Sequence, residues 1–394
     1  MKKREGHSRI LFIHSDVYAF GGAEQVCIRM MNSAQQIGEV TLVHCGGALD
    51  CERIWQWFRI ALNPQRVRFT TAGSTGRIVG YLKRKPILKY AAALRYARRI
   101  VSEFDLVVGT FGECPIPVRH GIQYIHVPVF SSLPDVFQYL NTGADRPVER
   151  WLRPLYAGVS RMLSRWNLSE VSRKRTLVNS LWTAGVVREV YGISSTILSP
   201  GIEVQLKPGA PGWIDWDDRD LGFVMLGRIH PHKRLELGAE IVRLLRDRGH
   251  DVQLHIVGRG KDKYAEQIKQ LIARRPYAHL HLDLTRCELE QLVVRHKFGL
   301  HACEYEHYGI AAAEMQALGC VVFAPDAAGQ REVVMNPGQR FLEVDDAVEK
   351  IGTLLNDSSQ CRRLSSEGVK KFNGVPPASF EDQVATIFEG ELSN

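Results

Sequence analysis

Residues 298–324 read Phe298-Gly-Leu-His301, then Ala302-Cys-Glu-Tyr-Glu306-His-Tyr-Gly309, then Ile310-Ala-Ala-Ala-Glu314-Met-Gln-Ala-Leu-Gly319, and finally Cys320-Val-Val-Phe-Ala324. A short apolar run passes into a polar loop, then into an alanine-rich stretch without breakers, and a glycine precedes a second apolar run. This is the pattern of a buried strand, a helix opening at about Gly309 and the next strand, the form of one parallel βαβ step.

The same alternation continues in both directions. Strands are expected at Phe223 to Leu226, Val252 to Val257, His279 to Leu282, Phe298 to His301 and Val321 to Ala324. In the first half they are expected at Arg9 to His14, Val40 to His44, Leu106 to Gly109, Ile122 to Val127, Thr176 to Asn179 and Thr196 to Leu198. The segment from Pro200 to Asp220 carries three prolines and three glycines without periodicity, so a domain boundary belongs there. The fold class expected is α/β, with two Rossmann-like, doubly wound domains spanning 1–200 and 201–377. A final amphipathic helix, 378–394, is expected to pack back on the first.

Composition narrows the possibilities. The 394 residues exceed one ordinary domain, and 45% hydrophobic with 24% charged residues is the balance of a soluble globular protein. No apolar run approaches the ~18 residues of a membrane span, and Met1-Lys-Lys-Arg4 leads into a first strand and not into a signal peptide. The eight cysteines are scattered without a C-x-x-C pair, which reads as reduced thiols in a cytoplasmic protein. A net charge of +8 favours anionic partners. Nucleic acid is the weakest of these, because no helix-turn-helix, zinc finger or RNA-binding signature is present.

Two segments carry the chemistry. Glu306 stands before the helix that opens at Gly309, and Glu314 lies in its second turn. A helix N-terminus suits a phosphate, and the two carboxylates suit sugar and ribose hydroxyls. Two isolated glutamates would otherwise be a loop acid and a helix-surface acid. Gly227-Arg228-Ile-His-Pro-His-Lys233 follows an expected strand and precedes a helix, so two cations stand where a diphosphate leaving group would need them. Taken alone, they read as solvated loop cations. His230 and His232 lack further ligands and do not read as a metal site.

Glu306 to Glu314, with its glycine after an aromatic and its Ala-x-Gly-x-Val continuation, resembles the E-x7-E motif of glycosyltransferase family 4. The resemblance implies a GT-B architecture, two domains across a cleft, and retaining, metal-independent transfer from a nucleotide diphosphate sugar. It implies that Glu306 contacts the donor sugar, Glu314 the ribose, and Arg228 with Lys233 the pyrophosphate. His307, Tyr308, Gly309 and Ile310 then line the donor site, and His307 departs from the usual Glu-Gly-Phe-Gly. Gly227 joins them, as do Gly258 and Gly260, although ordinary turn chemistry explains a lone Gly-x-Gly equally well. In the first half Gly21-Gly22-Ala23-Glu24 resembles the family's turn near the donor phosphates, and Asp16 precedes it.

Gln123-Tyr-Ile-His126-Val-Pro128 resembles the Tyr-x-His-x-Pro segment of members that elongate lipid-linked oligosaccharides, which implies contact between His126 and the transferred sugar. The segment Asn179-Ser-Leu-Trp182-Thr183 agrees with that subgroup, whereas Ser199-Pro-Gly201 replaces its Tyr-Pro-Pro. The subgroup implies GDP-mannose as donor and a lipid-linked glycan as acceptor. No cofactor or metal is expected. Asp215-Trp-Asp217 has the D-x-D form of metal-dependent transferases but lies in the linker. The basic stretch from Lys83 to Arg99, with Tyr81, Leu82, Tyr90 and Leu94, reads either as a helix on an anionic membrane or as one solvated helix face. The rival readings are a nucleotide-sugar epimerase on the same fold and a degenerate transferase that only binds.

Overall fold

β1 (Ser8–Ile13) is buried through Ile10, Leu11, Phe12 and Ile13, as a strand covered on both faces must be. Ile10 and Phe12 enter one apolar layer with Val26 and Met30 of the helix Gly22–Ile37 and with Phe380, Val384 and Phe388 of the helix Phe380–Ser393. Leu11 and Ile13 enter the opposite layer with Tyr90, Ala93 and Leu94 of the helix Pro86–Ile100. The two-residue period of the strand separates the layers.

The computed structural model describes residues 8–81, 85–131, 147–374 and 378–393, the side chains of 147–153 excepted. Among these, the residues up to Pro200 and from 378 onward form one compact unit, and those from Gly201 form the other. The first unit is built on a seven-stranded parallel sheet ordered β3-β2-β1-β4-β5-β6-β7. Its strands are β2 (Gly38–His44), β3 (Val67–Thr71), β4 (Leu106–Gly109), β5 (Gly121–Ile125), β6 (Arg175–Val178) and β7 (Thr196–Ile197). The Phe380–Ser393 helix is tied to this unit by a 2.6 Å ion pair between Arg29 and Glu381.

The second unit holds a six-stranded sheet ordered β10-β9-β8-β11-β12-β13. It comprises β8 (Asp220–Leu226), β9 (Gln253–Gly258), β10 (Ala278–Leu282), β11 (His296–Leu300), β12 (Val321–Pro325) and β13 (Arg340–Phe341). Phe223 and Met225 face the helix Leu235–Asp247, and Val224 and Leu226 face the helix Ile310–Ala317. β3 and β13 were not expected. Both are edge strands, β13 has two residues, and β3 is only half-buried, so neither shows the apolar run of a central strand.

Four histidines gather on the second sheet. The His255 ring lies 4.1 Å from that of His296 and 4.8 Å from that of His279, and its Nδ1 is 3.1 Å from Nε2 of His281. Among the described residues no group of three or more His, Cys, Asp or Glu is placed to hold a metal ion.

Within the helix Pro86–Ile100 the structure covers the apolar residues of the basic stretch, whereas Tyr81 before it is exposed. Tyr90 and Leu94 are fully buried, and Ile87 and Leu88 pack against the same core. Lys89 is paired with Asp16 at 2.9 Å, and Arg98 donates to the carbonyls of Ser164 and Arg165. Lys85, Arg95 and Arg99 stay exposed, while Leu82, Lys83 and Arg84 lie outside the described residues. No described helix is long and apolar enough to cross a membrane.

Candidate functional site

Every strand of the second sheet runs parallel, so the loops after β8, β9, β11 and β12 emerge at one carboxyl edge, where α/β sheets place their ligands. β8 is followed by Gly227, whose φ of 145° suits glycine alone. The chain then makes a 3₁₀ turn, Pro231–Lys233, and enters the Leu235–Asp247 helix through Arg234 at φ 48°. The loop after β11 reaches Gly309, at φ 103°, which starts the Ile310–Ala317 helix.

Two of the predicted glycines have a packing explanation. A Cβ on Gly258 would stand 1.9 Å from the carbonyl oxygen of Gly227, and one on Gly260 would stand 2.8 Å from Cβ of Ile229. They let the β9 loop lie against the β8 loop. Gly329, which sequence reasoning missed, has the same relation to the His307 carbonyl at 1.9 Å, and its N–H donates to the Glu306 carbonyl.

On this platform Lys233 and Glu306 meet, Nζ to Oε2, at 2.5 Å. Burial alone would raise the Glu306 carboxyl, but Lys233 foremost, helped by His301, holds it well below the usual carboxylate range. Burial disfavours the Lys233 ammonium, and the Glu306 carboxylate outweighs that and raises its pKa. His301, 3% exposed, brings Nε2 to 3.3 Å from the same Oε2 and has Gln330 beside it, with neither ring nitrogen in good hydrogen-bond geometry. Burial lowers the pKa of His301; Glu306 opposes the shift and Lys233 adds to it. Gln330, fully buried, donates to the Cys303 carbonyl at 2.9 Å, while its Oε1 has no hydrogen-bond partner. Sequence reasoning missed both. A histidine closing a strand five residues before Glu306 was the available signal for one of them.

Glu314 is placed differently. It is buried and takes a 2.8 Å bond from Arg286, which also holds Glu290 at 2.8 Å and donates to the Glu203 carbonyl. Glu290 in turn accepts the N–H groups of Gln205 and Leu206. Glu314 is thus the outer member of a buried charge network. Arg286 gave no sequence signal, because an arginine opening a helix is commonplace.

Arg228 is exposed on the Lys233 loop, and among the described residues no carboxylate lies within ion-pair distance of it. His230 and His232 approach to 2.7 Å, Nδ1 to Nδ1. Burial first, then Lys233 and Arg228, push the His232 pKa down to about 2, so it stays neutral. His307 and Tyr308 are half-buried between Glu306 and Gly309, and Ile310 is the first helical residue.

In the first unit Gly21 is the N-cap of Gly22–Ile37, and its N–H donates to Glu24 at 2.7 Å. The other Glu24 oxygen is 3.4 Å from Nε2 of the buried His14. The Gly-Gly-Ala-Glu turn is therefore a helix cap as it stands. Asp16 is occupied by Lys89 and by the Tyr18 N–H. His126 follows β5 with its ring 4.8 Å from Tyr124, and its carbonyl accepts from Thr183 at 3.5 Å. Ser180 caps the helix Leu181–Tyr191 by accepting from the Thr183 N–H. Asp217 pairs with Arg362 at 2.6 Å, which gives this linker acid a structural partner.

An exposed guanidinium, an ammonium beside a carboxylate and a helix N-terminus on one sheet edge can together receive a polyanionic ligand that also carries hydroxyls. Residues 214–371 match the family model described as glycosyl transferases group 1. The chain is 23% identical over 181 residues to the GDP-Man:Man(3)GlcNAc(2)-PP-Dol alpha-1,2-mannosyltransferase of Dictyostelium discoideum, covering 41% of this chain and 36% of that protein. It thus spans about a third of the length of the curated relative that it matches. The crystal structure of WaaG, a glycosyltransferase involved in lipopolysaccharide biosynthesis, superposes with a TM-score of 0.71 at 15% identity, covering 97% of this chain and all 100% of that one. HepE of Anabaena, in complex with UDP and glucose, superposes at 0.66 with 17% identity, covering 98% and 100%. The fold is the GT-B fold of glycosyltransferases.

Proposed function

We propose that the chain is a retaining glycosyltransferase of the family 4 type, which moves a sugar from a nucleotide diphosphate donor to a lipid-linked glycan. The observation that carries this is the meeting of Lys233 and Glu306, with Arg228 on the same loop, at the carboxyl edge of the second sheet. Arg228 and Lys233 bind the diphosphate, Glu306 the sugar hydroxyls, and Glu314 the ribose. The bond from the anomeric carbon to the diphosphate oxygen breaks while the acceptor oxygen attacks from the same face. The departing diphosphate takes the acceptor's hydroxyl proton, so configuration is kept without a metal. The two cations stabilise the charge that develops on the leaving group. The resemblance of its segment assigns His126 to the transferred sugar as well.

GDP-mannose is the first donor to test, because the Dictyostelium relative is named for GDP-Man, whereas HepE was crystallised with UDP and glucose. A thermal-shift screen of GDP, UDP, ADP and their sugars decides: a ligand at ~100 times its Kd stabilises by ~2.7 kcal/mol. Absence of a shift with all of them sinks the reading. Hydrolysis of the shifting donor by pure protein separates an enzyme from a protein that only binds.

A further inference from the structure

The Lys233 ammonium has two claims on it. It sits against Glu306 at 2.5 Å, and the proposed diphosphate needs the same cation. The ammonium has three N–H donors but a single charge, so a bound diphosphate leaves Glu306 with a smaller share of it, and a poorly compensated carboxylate in a mostly buried place is costly. His301 stands next in line, 3.3 Å from the same Oε2, 3% exposed and with both ring nitrogens outside good hydrogen-bond geometry. A buried polar group in that state calls for an explanation.

Building on the proposed donor site, we infer that His301 is a positioning residue that takes up a proton from solvent when a diphosphate draws Lys233 away, and then holds Glu306 in its place. A protonated imidazole has two N–H donors. The site supplies two acceptors for them, Oε2 of Glu306 and Oε1 of Gln330, which lies beside the ring without completing a well-aligned hydrogen bond. The electrostatics run the same way. Burial and the Lys233 charge disfavour a proton on His301, and Glu306 and Gln330 oppose them. A diphosphate cancels the Lys233 charge and leaves the attraction of Glu306, so the imidazole becomes easier to protonate. The ion pair is thereby exchanged and not lost, and Glu306 keeps its aim at the sugar through the exchange.

The test is calorimetric titration of GDP, UDP and ADP into wild-type protein and His301→Gln, in buffers of differing ionisation enthalpy near pH 7.5. That pH lies above the second ionisation of a phosphate, about 6, so the nucleotide itself exchanges few protons. Glutamine keeps an N–H donor toward Glu306 but cannot carry the proton. Wild type takes up part of a proton per nucleotide bound, and His301→Gln takes up none. The variant also loses roughly tenfold in turnover with KM for the donor little changed, which corresponds to about 1.4 kcal/mol in the transition state. Its pH–rate profile loses the wild-type limb near neutrality. Equal proton uptake in the two proteins overturns the inference while the nucleotide reading stands. Failure of all three nucleotides to bind removes that reading and the inference with it. If His301→Gln melts far below wild type, His301→Asn is titrated in its place, and retained uptake in that variant overturns the inference equally.

Discussion

The Lys233 ammonium lies 2.5 Å from a carboxylate oxygen of Glu306 although 73 residues of chain separate them. Removing either cation of the loop therefore has different consequences. Arg228→Ala and Lys233→Ala should each cost ~2 to 4 kcal/mol of transition-state stabilisation in kcat/KM. Only Lys233→Ala should also destabilise the protein, because Arg228 has no carboxylate partner among the described residues. His126→Ala should lower turnover and leave nucleotide affinity intact. Unchanged efficiency in both loop variants would defeat the diphosphate assignment, and a loss of nucleotide affinity in His126→Ala would defeat the placement of the nucleotide.

Arg286 holds Glu314 and Glu290 at 2.8 Å each in a mostly buried network. Arg286→Met removes the cation and leaves both carboxylates, so it should destabilise by ~3 to 5 kcal/mol and weaken nucleotide binding. Chemical denaturation and a binding isotherm measure the two effects. A wild-type midpoint would show that the network is not a structural support.

The histidine cluster gives the second unit an acid limit. Burial first, then His296, His279 and His281, lower the His255 pKa from 6.5 to about 3, and Arg295 acts in the same direction. A lowered imidazole pKa means that the unfolded chain binds more protons, so stability is complete above about pH 6.5 and is lost as pH falls toward about 3. His255→Gln should flatten the fall of the melting temperature over that window. An identical slope in the variant would show that other groups dominate.

Transfer should survive EDTA, since the proposed leaving-group charge is met by Arg228 and Lys233 and since Asp217 is engaged by Arg362. Activity abolished by the chelator and restored by magnesium or manganese would assign the charge to a cation instead.

If this basic stretch attaches to a membrane, its exposed cations among the described residues are Lys85, Arg95 and Arg99. Each basic side chain near an anionic surface contributes ~1 kcal/mol. Cosedimentation with vesicles should rise with anionic lipid, fall with salt and weaken when Lys83, Arg84 and Lys85 become Gln. Lys89→Gln, which breaks the pair with Asp16, should leave vesicle binding unchanged. Equal binding to neutral vesicles would remove the electrostatic argument.

Alternating apolar runs and helical stretches are local properties, and by themselves they determined two parallel α/β units, the boundary near Pro200 and the loops that carry Arg228, Lys233, Glu306 and Gly309. The edge strands β3 and β13 escaped, because a strand with one open side need not be apolar. What the tertiary structure decided is which loops meet. β8 lies beside β11 in the sheet although β9 and β10 intervene in sequence, and that order brings Lys233 to Glu306. Strand order depends on crossovers and on helix packing summed over the whole unit, so no local pattern encodes it. For the same reason the bonds of Arg286 to Glu314, the place of His301 beside Glu306, and the burial of Tyr90 and Leu94 could not be read from residue spacing. They arise from contacts between segments far apart in the chain.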